Sequence, residues 1–273
     1  MSAALTDRTL TLRDGHRVGV TTGGSGTPLV FFHGFTANRR LYAPILALLA
    51  ARGFSVVALD MAGHGDTDGL LRGHTFADMR DLAVRALDEL GIGSAVMVGH
   101  SLGGRMVAEV AAAHPERVRH AVLINAAVGD YFDGLGLKVD VAARLPFGLA
   151  GAVVDLLGDV PWSRPRKAVR YLRHLAAFKP SLSGVFNVAM ATHSPSPKTV
   201  DLLAVLRDKA VPVSVIHSVW DLIVPFANGL QASRVSGGAL VVLPGFHNWV
   251  MVHPQRCADE IIDAVQPQTG VAA

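Results

Sequence analysis

The sequence predicts an α/β fold: a mostly parallel central sheet with helices on both faces, plus an inserted helical cap. Three observations carry this. Short continuous apolar runs recur along the 273 residues. Stretches of helical period separate most of them. One segment of roughly 80 residues breaks the alternation and is too long for a plain loop.

The elements follow in order. Residues 9–12 and 17–21 alternate apolar and polar side chains around Asp14-Gly15, which predicts a hairpin. The runs 29–32, 56–59, 95–98, 121–124, 213–216 and 240–243 are rich in Val, Leu and Ile. Runs this short and this apolar suit strands buried on both faces, as in a parallel sheet. A helix is expected over 40–52, stopping at Gly53. Another spans 76–90, with Thr75 as cap, Met79, Leu82, Ala83, Ala86, Leu87 and Leu90 on one face, and Gly91 as the stop. A third covers 102–113, before His114-Pro115. The last covers 254–265, with Pro254 suited to its first turn. From Asn125 to Val211 no buried strand is evident. That segment holds Pro146, Pro161, Pro165, Pro180, Pro195 and Pro197, with helical pieces at 139–145, 149–157 and 166–178. The expected division is a core of 1–125 and 211–273, with a helical cap at 126–210.

Half of the residues are hydrophobic and only 17% are charged, which supports a large core and argues against disorder. The net charge of +3 comes without any long run of Lys or Arg, so a nucleic-acid partner is not expected. Cys257 is the single cysteine, which excludes an intramolecular disulfide and a Cys-rich metal site. The 12 histidines show no metal-ligand spacing. The first 20 residues lack the apolar core of a signal peptide. No uncharged apolar stretch reaches about 18 residues, so a membrane span is not expected. The expectation is a soluble cytoplasmic protein acting on a small molecule. Peripheral lipid contact and oligomeric state are left open.

Gly99-His100-Ser101-Leu102-Gly103 directly follows the run 95–98 and opens the helix 102–113. Ser101 therefore sits on a strand-to-helix turn. Such a turn is tight and strained, and small flanking residues are required, which Gly99 and Gly103 supply. The helix N-terminus behind it favours negative charge. A serine hydroxyl needs a base to take its proton, and that base needs a carboxylate to orient it. Asp221 comes just past the run 213–216, and His247 just past 240–243. The run 29–32 leads into His33-Gly34-Phe35-Thr36, so the N–H groups of Phe35 and Leu102 are candidate oxyanion donors.

These motifs, with Asp60-Met61-Ala62-Gly63-His64-Gly65 and Val224-Pro225, resemble the α/β-hydrolase fold superfamily, in its serine-hydrolase branch with a helical cap. The order Ser, Asp, His along the chain agrees with it. The resemblance covers nearly the whole chain except the cap. It implies an esterase- or lipase-like enzyme with Ser101 as nucleophile, His247 as base, Asp221 as orienting acid and Phe35 and Leu102 as oxyanion donors. No cofactor and no metal are implied. The substrate expected is an ester with a small to medium hydrophobic part, cleaved through an acyl-enzyme. The same triad serves carbon–carbon hydrolases, lactonases, cofactor-free lyases and perhydrolases, and a ligand receptor can share the fold.

Several departures from the superfamily pattern matter. Thr67 stands where members often have Ser, with no catalytic effect expected. Dehalogenases and epoxide hydrolases carry Asp at the elbow, so Ser101 speaks against both chemistries. Some lipases place the acid after the preceding strand. Here Asn125 cannot act as a carboxylate, Asp130 lies nearby, and Asp221 is preferred. His253 rivals His247 but is expected to pack at a helix entry. His33, Asp60 and His64 read as loop-organising residues, and His193 as a solvated loop residue. The basic residues Arg164, Arg166, Lys167, Arg170, Arg173 and Lys179 read first as a solvated helix face, and second as an attractor of anions or lipid. Trp220 and Trp249 read equally as acyl-pocket lining or core.

Overall fold

The computed structural model describes residues 4–134 and 181–266, and between them Val154, residues 157–160, 164–166 and 168–169, and Leu172. The cap helices expected at 139–145, 149–157 and 166–178 lie wholly or mostly outside the described residues. So do Lys167, Arg170, Arg173 and Lys179.

The strands are β1 Leu5–Thr11, β2 Arg17–Gly23, β3 Thr27–Phe32, β4 Phe54–Leu59, β5 Ala95–His100, β6 Val118–Ile124, β7 Val213–Ser218 and β8 Ala239–Leu243. They form one eight-stranded sheet in the order β1-β2-β4-β3-β5-β6-β7-β8. β1 and β2 make the antiparallel hairpin, and β2 also meets β4 antiparallel. All the remaining pairs are parallel. Gly15 turns the hairpin with φ of 83°, a conformation open to glycine.

The described helices are α1 Ala43–Ala50, α2 Phe76–Glu89, α3 Leu102–Ala113, α4 Asp130–Asp133, α5 Leu182–His193, α6 Thr199–Asp208, α7 Phe226–Ser236, α8 Trp249–Val252 and α9 Pro254–Val265. The helix expected over 40–52 is shorter. A 3₁₀ turn, Arg39–Tyr42, precedes α1, because Pro44 has no N–H to continue a ladder and fits only a first turn. Thr75 caps α2 in a reciprocal box with Asp78.

Alternation along each buried strand divides the core. Val30 and Phe32 face one layer with Met97, Leu123 and Val215, packed by α2 and α3. Leu29 and Phe31 face the other with Val98, Val122 and Ile216, packed by α1 and α9. This is why these strands read as unbroken apolar runs. Residues 199–208, which the sequence groups with the cap, form α6 and join the first layer through Leu202, Leu203 and Leu206. Among the described residues no helix is long and apolar enough to cross a membrane.

Candidate active site

The parallel strands β5, β7 and β8 end on the same edge of the sheet, and the three candidate catalytic side chains follow those ends. Ser101 is buried, with φ of 57° and ψ of −121°. A non-glycine residue there is strained by about 1–3 kcal/mol. Two features hold it. Its N–H donates to Ile124 O (2.9 Å), and its carbonyl accepts from Gly104 and Ala127 N–H (both 2.9 Å). The flanking glycines are required by close approach: a Cβ at Gly99 would strike the Gly103 backbone, and one at Gly103 would strike the Phe32 carbonyl.

Asp221 and His247 come together. His247 Nδ1 lies 2.7 Å from Asp221 Oδ2, and both side chains are buried. The other oxygen, Oδ1, accepts from the N–H groups of Ile223 (2.9 Å) and Val224 (2.7 Å). Asn125 Nδ2 donates to Oδ2 as well. Burial is the largest single influence and pushes this carboxyl up. The His247 charge and hydrogen bond, with the Asn125 and Val224 bonds, outweigh it and hold the group below its usual range.

The loop after β3, which carries the candidate oxyanion donor Phe35, is held at two consecutive carbonyls. Met61 N–H donates to His33 Nε2 (2.9 Å), so a neutral His33 donates from Nδ1 to Gly34 O (2.7 Å). Burial, with the nearby His64, pushes His33 down to about 3 and keeps it neutral. Ala37 N–H donates to the same carbonyl (3.1 Å). His64 Nε2 meets Phe35 O (2.5 Å). Among the described residues, neither the Phe35 nor the Leu102 N–H has a protein acceptor. Asp60 receives Arg39 and the Asp66 N–H, and Thr67 bridges Asp60 O (2.8 Å) to Gly19 N (2.9 Å). These are loop-building contacts.

The rival residues lie elsewhere. Asp130 pairs with Gln231 Nε2 (2.6 Å) on the surface. His253 is exposed at the entry of α9, and His193 is exposed with Nδ1 at 2.7 Å from Ala189 O. The two tryptophans separate. Trp249 is buried, and its indole donates to Asn125 Oδ1 (3.0 Å). Trp220 is exposed, 5.9 Å from the Phe246 ring. A groove of about 850 Å³ opens at the opposite ends of β6 and β7, beside His120 and Pro212, and holds none of these residues.

Two residues with roles at this site escaped the sequence. In the sequence, Asn125 reads only as a position that lacks a carboxylate. Asp159, in the insertion, spans His247: Oδ1 accepts from Phe246 N–H (3.1 Å) and Oδ2 from Asn248 N–H (2.6 Å). No local pattern announces a carboxylate that caps a loop nearly ninety residues away. Val160 beside it packs with Ala168 against Val252, the last residue of α8.

Comparison with known proteins agrees with this architecture. The chain is 39% identical over 257 residues to a protein of Mycobacterium phage D29 named for non-heme haloperoxidase activity, covering 93% of this chain and 92% of that one. It is 30% identical over 235 residues to a 2-(acetamidomethylene)succinate hydrolase of Mesorhizobium japonicum, covering 83% of each. The enol-lactonase of Burkholderia xenovorans LB400 superposes with a TM-score of 0.75 at 19% identity, over 94% of this chain and 99% of that one. A family model described as the alpha/beta hydrolase fold matches residues 27–214. The chain therefore belongs to the α/β-hydrolase fold family.

Proposed function

We propose that the chain is a serine hydrolase that cleaves a carboxylic ester with a small to medium hydrophobic part. The observation that carries this is the hydrogen bond between His247 Nδ1 and the buried Asp221 carboxylate. An ionised carboxylate only accepts, so in the neutral ring Nδ1 holds the proton and Nε2 is the basic nitrogen. Nε2 then takes the Ser101 proton as the hydroxyl attacks the ester carbonyl. The Phe35 and Leu102 N–H groups stabilise the oxyanion. His247 returns the proton to the leaving alcohol, and water releases the acyl group by the same route. No cofactor enters these steps. A helical cap within the insertion 126–210, with α6 packed on the core of 1–125 and 211–273, is part of the proposal and would govern substrate choice.

Hydrolysis of p-nitrophenyl esters from acetate to palmitate, with wild type beside Ser101→Ala, tests it. Activity lost in the variant supports a serine esterase, and the chain-length optimum sizes the pocket. Ester silence with Ser101 still labelled by a fluorophosphonate would favour a carbon–carbon hydrolase, lactonase or lyase. Silence in both assays would favour a receptor.

The phage relative favours one second reading. Hydrogen peroxide in place of water at the same acyl-enzyme would release a peracid and regenerate Ser101. A peracid oxidises halide, which joins ester cleavage to the activity in that relative's name. Peroxide- and acetate-dependent bromination, lost in Ser101→Ala, would support it.

A further inference from the structure

The residue before the nucleophile, His100, is fully buried, as is Tyr42 at the end of the 3₁₀ turn. Their contacts form a chain whose hydrogens can all be assigned. His100 Nε2 lies 3.0 Å from His247 O. A carbonyl oxygen only accepts, so Nε2 carries the proton and donates. Burial, reinforced by the neighbouring His247, pushes His100 down to about 3, so the ring is neutral and Nδ1 is bare. Nδ1 lies 2.8 Å from Tyr42 Oη and must accept from it. Tyr42 Oη in turn accepts from Gly34 N–H (3.1 Å). Burial raises the Tyr42 hydroxyl well above its ordinary value, so it keeps the proton it donates.

The chain thus runs from Gly34 N–H through Tyr42 and His100 to the backbone carbonyl of His247. One end is the His33–Gly34 peptide, directly before the peptide that carries the Phe35 N–H. The other is the base's own main chain. The link is tight: a Cβ on Gly34 would lie 3.3 Å from Tyr42 Oη, 3.4 Å from His100 Nδ1 and 3.5 Å from Ser101 Cβ. The His100 and His247 rings are 4.7 Å apart, centroid to centroid.

We propose that Tyr42 and His100 are positioning residues that hold the oxyanion loop and the His247 loop in fixed register across Ser101. This rests on the esterase reading and deepens it. Neither side chain needs to touch substrate. Each acts through groups needed in the transition state, so their loss falls on kcat more than on KM.

The test measures kcat and KM for p-nitrophenyl acetate, and the rate of fluorophosphonate labelling at Ser101. The proteins are wild type, Tyr42→Phe, His100→Phe and His100→Gln. Tyr42→Phe should lower kcat roughly 10- to 100-fold, with KM within about twofold, and slow labelling by a similar factor. His100→Phe should be at least as impaired. His100→Gln keeps a side-chain N–H for the His247 carbonyl and should recover part of the loss. Unchanged kcat and labelling in Tyr42→Phe would overturn the proposal. So would a lower melting temperature with full kcat per folded molecule, or a Gln variant no better than Phe. If His100→Phe does not fold, Tyr42→Phe decides alone. A wild type that neither hydrolyses nor labels overturns the esterase reading instead.

Discussion

Asn125 donates a hydrogen bond to Asp221 across 96 residues of sequence, from the end of β6 to the turn after β7. The same amide donates to Ser218 Oγ (2.6 Å), and its oxygen accepts from the Trp249 indole (3.0 Å). Asn125 itself sits at φ of 43°, in the left-handed region where Asn is among the tolerated residues. One side chain thus joins the Asp221 carboxylate to the buried Trp249 that opens α8, two residues after His247.

Asn125→Ala should therefore lower kcat/KM roughly tenfold, because Asp221 loses a donor and Trp249 loses its acceptor. Asn125→Asp should be worse. It sets a second carboxylate against the first, and like charges at this distance push one of the pair up. Steady-state kinetics of both variants, with pH–rate profiles, check this. Full activity in Asn125→Asp would mean that the Asp221 environment is not electrostatically critical.

Asp159 gives the insertion a direct hold on the His247 loop. Asp159→Asn keeps the shape but replaces one acceptor by an NH₂ facing a backbone N–H. The expected result is a roughly tenfold loss of kcat, since small displacements of a base are costly. KM for a short ester should change less. Kinetics with acetate and butyrate esters would show the split, and an effect confined to KM would remove Asp159 from base positioning.

Acid should destabilise the protein well before its carboxylates are protonated. His33 and His100 lie near 3 instead of 6.5, mainly through burial. Below pH 6.5 the unfolded chain binds protons that the folded chain refuses. The stability from keeping these rings neutral is whole above that pH and falls as pH drops toward 3. Two such groups give a slope on the order of 2–3 kcal/mol per pH unit once the unfolded rings are protonated. Asp221, held below 3.8, adds a further loss at lower pH, as falling pH crosses its folded value. Urea midpoints between pH 7.5 and pH 4.5 should drop steeply, and His33→Gln should flatten the curve. Constant midpoints over that interval would contradict the burial of both rings.

Gly99→Ala and Thr75→Ala form a contrasting pair. The first forces a Cβ into the Gly103 backbone and should cost about 3 kcal/mol or more, with loss of activity. The second removes the cap of α2 and should cost about 1 kcal/mol with kcat unchanged. Thermal unfolding alongside ester kinetics distinguishes them. Equal effects would mean that the elbow is less confined than its contacts indicate.

Much of the fold was legible because buried parallel strands write themselves as short apolar runs, and because Gly and Pro mark where elements stop. Each strand from β3 to β7 follows such a run; β8 follows one too but lies at the sheet edge, with Val242 exposed instead of buried. Five of the described helices, α4 to α8, are not visible in the sequence. α6 hides among the prolines of the insertion, and its place beside α3 depends on Leu202, Leu203 and Leu206 finding a core formed by distant strands. α7 is too weakly patterned to stand out, and its mark is the left-handed Gly237 that ends it.

By itself the sequence determined the elbow at Ser101, the strand ends that carry Asp221 and His247, and the family resemblance. Each of these depends on residues close together in the chain: glycines a Cβ would ruin, or a side chain just past an apolar run. Only the tertiary structure decided what holds those groups. Asn125 against Asp221, Asp159 across His247, and the chain from Gly34 through Tyr42 and His100 all join segments far apart in sequence. Hydrogen bonds of this kind depend on direction and on distances of about 3 Å. Such distances are set by how layers pack, and no local pattern of residues encodes them.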